Sequence, residues 1–325
     1  LGIFDRRVAF KPFEYPEAVE FKNAINHSYW LVSEWNFISD VQDFHVKLDD
    51  VQRNAIKNTL LAISQIEVSV KRFWTKIGDR FPKAEIEQVG ISYGESEVRH
   101  ADAYSHLLEV LGFNGEFEQL LQNPVIQDRV DYLTKYLKGA ADNSNENYTL
   151  SLTLFSIFIE NVSLFSQFAV IKSFNKYYNL LKDVDNVVQA TLKEEQIHAL
   201  FGVWLIKQIK AECPEWFHEG FYEKLQRACK KAYDAECAII DWIFEKGELE
   251  CLSKATLKEF IKHRFNESLE MIGGRPAFEV DREALKELEW FNVEILATVD
   301  TDFFHKRPVS YSKKVQSYTA EDLFA

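Results

Sequence analysis

Glu97-Val98-Arg99-His100 and Glu195-Gln196-Ile197-His198 share one pattern, Glu-x-x-His, and each lies in a long proline-free run. On a helix that spacing puts acid and imidazole on one face, one turn apart. Each copy follows a segment with a solitary glutamate in apolar company. Glu67 sits in Leu60-Leu61-Ala62-Ile63-Ser64-Gln65-Ile66-Glu67-Val68-Ser69-Val70, 30 residues before Glu97. Glu160 sits in Leu154-Phe155-Ser156-Ile157-Phe158-Ile159-Glu160-Asn161-Val162-Ser163-Leu164-Phe165, 35 residues before Glu195. A carboxylate on a buried helix is expensive unless it is paired or bound to metal. Any one Glu-x-x-His is more simply a surface salt-bridging segment; the order of all six residues is what points to a metal. Four Glu and two His in this order form the donor set of a carboxylate-bridged di-iron or di-manganese helical bundle. Carboxylate oxygens suit manganese and iron, and one imidazole for each ion completes the set. The candidate metal ligands are therefore Glu67, Glu97, His100, Glu160, Glu195 and His198.

Outward from these motifs the chain reads as all-α. Apolar residues recur at helical spacing, as at Val51, Ile56, Leu60, Ile63, Ile66 and Val70, and alternating strand patterns are scarce. The periodicity predicts helices over about 15–34, 48–79, 84–112, 116–138, 147–177, 182–211, 216–245 and 254–271. Asp142-Asn143-Ser144-Asn145 is a loop fit to cap the helix after it. No linker, low-complexity tract or tandem repeat divides the chain, so one domain is expected over 1–305. Residues 306–325 read as an extended C-terminal tail.

At 325 residues and 46% hydrophobic composition the chain is ample for a deep core. A net charge of −13 argues against a nucleic-acid footprint. The four cysteines, Cys213, Cys229, Cys237 and Cys251, match no zinc spacing and read as reduced thiols of a cytoplasmic protein. No secretory leader is visible at the start. The most apolar window, Leu150 to Ile171, contains Glu160, Asn161 and Gln167, so it reads as a buried core helix rather than a membrane span.

Several blocks carry a family resemblance. Glu97-Val98-Arg99-His100-Ala101-Asp102-Ala103-Tyr104 resembles the Glu-x-x-His-x-x-x-Tyr stretch of class I ribonucleotide reductase small (beta) subunits. Glu160 with Phe168 two turns later is similar to that family's third-ligand helix, and Glu194-Glu195-Gln196-Ile197-His198 to its last one. Ser28-Tyr29-Trp30, followed by Glu34 and Asp40, resembles the family's entry block. Thr301-Asp302-Phe303-Phe304-His305-Lys306-Arg307-Pro308-Val309-Ser310-Tyr311 resembles its Thr-x-Phe-Phe-x-Lys-Arg-x-x-x-Tyr block. The resemblance runs from about residue 12 to 312.

The resemblance implies a ferritin-like bundle with additional helices, acting as a homodimer that generates a radical for a separate alpha subunit. A dinuclear metal cofactor, activated by an oxygen species, supplies an oxidising equivalent. It passes by proton-coupled electron transfer to the alpha subunit, which reduces ribonucleotides to deoxyribonucleotides. Trp30 and Tyr311 are the implied stepping stones, with Tyr318 in reserve. Tyr104 occupies the position that stores the radical in many members. The tail is expected to order on docking to the alpha subunit, and no nucleic acid or membrane is an expected partner.

Three departures bear on the metal. The family's usual first ligand is Asp, whereas this chain has Glu67, which resembles the manganese/iron and dimanganese branches. Lys71, one turn after Glu67, is either an ordinary i, i+4 partner or a cation placed to attract an anionic oxidant such as superoxide. Glu67, Lys71 and Tyr104 together resemble the dimanganese branch, class Id. Two manganese ions are thus the leading cofactor, with two iron ions or a mixed Mn/Fe pair as alternatives. The third departure is double: Glu194 replaces the usual Asp and is expected to bridge a ligand histidine to Trp30, while His305 stands where Glu is usual. A ferritin-like dimetal oxidase of another kind, ligand-binding or desaturase-like, is the rival reading. It would share the six ligands but not the Trp30 and Tyr311 blocks.

Overall fold

The computed structural model describes residues 2–70, 72–120, 122–139 and 144–303. The first helices are α1 (Ala18–His27), α2 (Ile38–Gln42), α3 (Asp50–Val70), α4 (Ile77–Arg80), α5 (Ala84–Leu111) and α6 (Asn114–Leu120). Then come α7 (Pro124–Gly139), α8 (Asn145–Leu154), α9 (Phe165–Tyr178), α10 (Lys182–Glu212), α11 (Glu219–Ile243), α12 (Lys254–Met271) and α13 (Glu289–Phe303). Among the described residues no strand forms beyond an isolated bridge between Leu249 and Leu252. The all-α reading of the sequence stands.

The core is built by α3, α5, α9 and α10. Helix α3 packs on α5 and α9, and α10 packs on both α5 and α9. The inward stripe of α3, with Ala55, Ile56, Leu60, Ile63 and Ile66 all buried, follows the helical period read from the sequence. Helix α1 covers α5, while α7, α11 and α12 back the far side. Between α8 and α9 the chain stays helical but widens, with Phe155–Ser163 in π geometry. The most apolar window of this 145–178 run lies wholly inside the protein, as expected of a core helix. Ser144 caps α8 by accepting from the Asn147 amide at 3.4 Å.

Several predicted helices end earlier or divide. The 116–138 segment splits because Pro124 opens a new helix and Asn123 Oδ1 accepts from the Val125 amide at 3.0 Å. The 15–34 segment stops at His27, and Val32–Glu34 forms a separate turn whose Leu31 amide donates to Glu34 at 2.8 Å. The 48–79 segment ends at Val70, and a 3-10 turn over Trp74–Lys76 leads into α4. Glycines on α5 permit that turn to approach. A Cβ on Gly90 would sit 2.4 Å from the Trp74 carbonyl oxygen, and one on Gly94 would sit 2.2 Å from Thr75 Cγ2. Helix α13 was not predicted; its buried contacts, Leu288 just before it with Phe291 and Ile295 on it, recur at helical spacing.

The start of α10 is held by acids from α2 and the turn after it. Asp40 Oδ2 accepts from the Val184 amide at 2.7 Å, and Asp43 Oδ2 from the Leu181 amide at 3.1 Å. Burial pushes the Asp40 carboxyl up from 3.8 to about 6 against the Val184 hydrogen bond, with the neighbouring Asp183 and Asp43 adding to the rise. Between those two values the folded state holds a proton that the unfolded state has lost, so this group's contribution to stability falls as pH rises. Urea denaturation from pH 4 to 6 should therefore show the stability of wild type falling relative to Asp40→Asn; a difference independent of pH would contradict this assignment.

Candidate metal centre

The six residues singled out by the sequence converge at the middle of the core. Glu67 comes from α3, Glu97 and His100 from α5, Glu160 from the π segment, and Glu195 and His198 from α10. They form two overlapping groups, Glu67–Glu97–His100–Glu195 and Glu97–Glu160–Glu195–His198, each with its donor atoms within 4.8 Å of one another. Glu97 and Glu195 belong to both groups. All six side chains are buried.

Each imidazole turns Nδ1 to the centre and is held from behind through Nε2. His100 Nδ1 lies 3.0 Å from Glu195 Oε1 and 3.7 Å from Glu67 Oε2. Its Nε2 donates to Glu194 Oε2 at 2.7 Å. His198 Nδ1 lies 3.2 Å from Glu97 Oε1, 3.3 Å from Glu160 Oε2 and 3.5 Å from Glu195 Oε2. Behind it stands Ser96, whose hydroxyl donates to the Tyr93 carbonyl at 2.8 Å and so accepts from His198 Nε2 at 2.9 Å. Each Nε2 thus has an acceptor behind it, so that a metal replacing the proton at Nδ1 would find both imidazoles in the tautomer a ligand needs.

The electrostatics fit a cation pair. Burial, the largest influence, pushes the carboxyls of Glu67, Glu97 and Glu160 above the usual range, and neighbouring carboxylates push the same way. Burial would raise Glu195 too, but hydrogen bonds from Glu160, His100 and His198 hold it well below. Both imidazoles are lifted by the carboxylates around them, against burial. Among the described residues neither oxygen of Glu67 nor of Glu97 has a hydrogen-bond partner, although all four atoms are buried. Native proteins rarely leave such groups unpaired. Four carboxylates and two neutral imidazoles suit two divalent ions of the manganese or iron kind.

A family model described as ribonucleotide reductase, small chain, matches residues 7–285. The chain belongs to the ribonucleotide reductase small-chain family. A probable ribonucleoside-diphosphate reductase small subunit, 048L, of Invertebrate iridescent virus 3 is 26% identical over 322 residues, covering 94% of this chain and 85% of the relative. In fold the chain is similar to the ribonucleotide reductase R2 subunit from Clostridium botulinum, with a TM-score of 0.78 at 18% identity over 87% of this chain and 89% of that one. It is also similar to an R2-like ligand-binding oxidase with a Mn/Fe cofactor, with a TM-score of 0.69 at 17% identity over 80% and 94%. Likeness at these identities speaks for the ferritin-like fold. The centre is therefore a dinuclear carboxylate–histidine metal site of a reductase small subunit, an oxidoreductase component, and small subunits of this family pair with an alpha subunit.

Around the ligands the structure corrects one expectation. Glu194 does not bridge His100 to Trp30. It binds His100, takes two bonds at 3.1 Å from Arg99, and accepts from Ser28 Oγ at 2.8 Å. The Trp30 indole N–H is buried without a partner among the described residues. Arg99 fills the place between them, its guanidinium 5.7 Å from the Trp30 ring and 4.7 Å from that of Tyr29. Burial would raise Glu194, yet His100 and Arg99 hold it below the usual carboxylate range. Trp30 instead lies nearly parallel to the His100 ring, 6.0 Å between centroids. Tyr104 is fully buried, and its hydroxyl donates to Thr191 Oγ1 at 3.3 Å rather than to a ligand carboxylate. Burial, with the Glu67 charge, pushes that phenol well above its ordinary value. Lys71, His305, Tyr311 and Tyr318 lie outside the described residues.

Sequence reasoning did not single out Trp74, Ser96 or Arg99. Trp74 Nε1 donates to Glu160 Oε1 at 2.8 Å from a fully buried position. Ser96 and Arg99 stand beside and within the Glu-x-x-His motif, but their partners lie on α10, far along the chain. Ser96→Ala should remove the acceptor that fixes the His198 tautomer. The expected result is a fold that melts within a few degrees of wild type and a metal affinity lower by about tenfold or more, measured by manganese(II) titration. Unchanged affinity would show that Ser96 has no part in orienting His198.

Proposed function

We propose that this chain is the radical-generating beta subunit of a class I ribonucleotide reductase, with Glu67, Glu97, His100, Glu160, Glu195 and His198 as the ligands of two metal ions. The observation that carries the reading is the pair of buried donor groups sharing Glu97 and Glu195. Glu67 and His100 would hold one ion and Glu160 and His198 the other, with Glu97 and Glu195 open to both. When bound, the ions supply a one-electron oxidant. The chain's residues bind and orient that pair, keep water out, and offer a path for the electron.

The path begins at Trp30, whose ring stacks on His100 and is almost wholly buried. Tyr311 is the step nearest the alpha subunit, with residues 306–325 docking there and 1–305 forming the metal-bearing domain. Each equivalent moves one electron from the alpha subunit to this chain, so the proton of each oxidised side chain must also be accommodated. Glu194, held ionised by Arg99 and His100, fixes the imidazole rather than taking the Trp30 proton. The name of the viral relative supports ribonucleoside diphosphates as the substrates of the complete enzyme.

Two manganese ions are the leading cofactor, two iron ions or a Mn/Fe pair the alternatives. The reading rests on Glu67 in the first-ligand position, since a longer carboxylate reaches terminal and bridging positions with less strain. Together with Lys71 as a cation for an anionic oxidant such as superoxide, it favours the dimanganese class Id branch, in which the metals rather than Tyr104 hold the oxidant. A homodimer in the cytoplasm completes the proposal.

Reconstitution with manganese and with iron separately, followed by oxygen or superoxide, tests it through metal content and EPR. The expected result is two ions per chain and a coupled manganese signal that survives Tyr104→Phe. A sharp tyrosyl signal lost in Tyr104→Phe would move the radical to that residue, and fewer than two ions per chain would sink the dinuclear reading. Tyr311→Phe should abolish turnover with the alpha subunit while cofactor assembly is unchanged. Retained turnover would remove Tyr311 from the path.

A further inference from the structure

Glu160 reaches the centre from the Phe155–Ser163 segment, and nine residues is long for π geometry. In a π turn each amide bonds to the carbonyl five residues back, so the segment carries an extra residue relative to an α-helix. Reversion to α geometry would turn Glu160 by about 100° around the axis relative to the helix that follows it. Something must hold the wide form.

Two buried arginines meet this segment. Arg264, from α12, donates to the Asn161 carbonyl oxygen through Nε at 3.0 Å and through Nη2 at 2.7 Å. Its Nη2 also reaches Asn161 Oδ1 at 2.6 Å. Asn161 is the residue directly after Glu160, and its amide donates on to Ser268 Oγ of α12 at 2.7 Å. Among the described residues no carboxylate lies within ion-pair distance of Arg264, and its guanidinium packs 4.0 Å from the Phe165 ring. Burial pulls its pKa down to about 10. A buried cation without a counter-ion is costly, so its contacts with the backbone matter.

Arg129, from α7, meets the other side. It donates to the Ser163 carbonyl at 3.1 Å and to the Ala62 carbonyl of α3 at 3.1 Å. It therefore ties the segment bearing Glu160 to the helix bearing Glu67. Glu236 of α11 lies 3.3 Å from Arg129 Nε, both side chains fully buried.

We infer that Arg264 is a positioning residue for the metal site: by clasping the Asn161 carbonyl and amide it keeps the segment in π register, so that Glu160 faces His198. Arg129 secures the end of the same segment. The inference rests on the dinuclear reading. It assigns Arg264 to the Glu160–His198 position alone, because none of its hydrogen bonds among the described residues reaches α3, α5 or α10.

Manganese(II) titration of the full chain, followed by EPR and with thermal melting as a fold check, separates the possibilities. Wild type should take up two ions and give the signal of a coupled pair. Arg264→Met should bind the first ion as wild type does, weaken the second by about tenfold or more, and show the hyperfine-split signal of a lone ion. Arg264→Lys, which keeps the charge but loses the fork, should fall between the two. If Arg264→Met does not fold, Asn161→Ala decides, since it removes the side-chain half of the clasp and should also weaken only the second ion. Two ions bound with wild-type affinity in the folded variant, or both weakened equally, would overturn the inference. Fewer than two ions in wild type would instead overturn the dinuclear reading on which it stands.

Discussion

Four carboxylates crowded into one dry place govern this fold. Two like charges about 4 Å apart repel by about 4 kcal/mol even at an effective dielectric constant near 20, and here every oxygen set lies within 4.8 Å of its neighbours. Such a cluster is tolerable only where cations, or protons in their place, neutralise it. The upward push on Glu67, Glu97 and Glu160, and on both imidazoles, expresses that demand. A bundle answers it well, because the helices satisfy their own backbones and bring donors in from four directions. The apolar faces around Glu67 and Glu160 then exclude the water that would otherwise solvate the charge.

The six candidate ligands that converge in the core were legible in the sequence because their spacing is local and their context unusual. Glu-x-x-His fixes two side chains on one face wherever the helix lies, and an acid amid Leu, Ile and Phe needs a reason to be there. The residues behind the ligands were illegible for the complementary cause. Trp74 follows the end of α3, and only the close approach permitted by Gly90 and Gly94 carries it to Glu160. Ser96 meets His198 across 102 positions of sequence. The Trp30 block placed the right tryptophan beside the site but suggested the wrong partner, because Arg99, inside the motif itself, claims Glu194.

Helix limits failed for similar reasons. Periodicity runs smoothly through Pro124 and through the end of α3, whereas the breaks follow from a proline at the first turn and from packing against α5. The widening of Phe155–Ser163 leaves no clear mark, since that stretch is buried on every side and offers no exposed face whose shift would show it. What marks it is distant in sequence: buried Arg264 and Arg129, which find their reason only when their carbonyl partners are known.

The two metal positions are supported unlike one another, and this bears on their chemistry. His100 leans on Glu194, a carboxylate kept ionised by Arg99, so its imidazole donates from an electron-rich pairing. His198 leans on the neutral hydroxyl of Ser96, and its companion Glu160 gives one oxygen to the Trp74 indole. A carboxylate behind a ligand histidine raises its basicity more than a hydroxyl does. An ion held by Glu67 and His100 would therefore meet the stronger donor, on the side where Trp30 stacks on His100. The asymmetry comes from Glu194, Arg99, Ser96 and Trp74, set in place by α10, α5 and the turn after α3. Nearly symmetric Glu and Glu-x-x-His motifs thus yield two unequal halves of the site, and Trp30 faces the half with the more strongly donating imidazole.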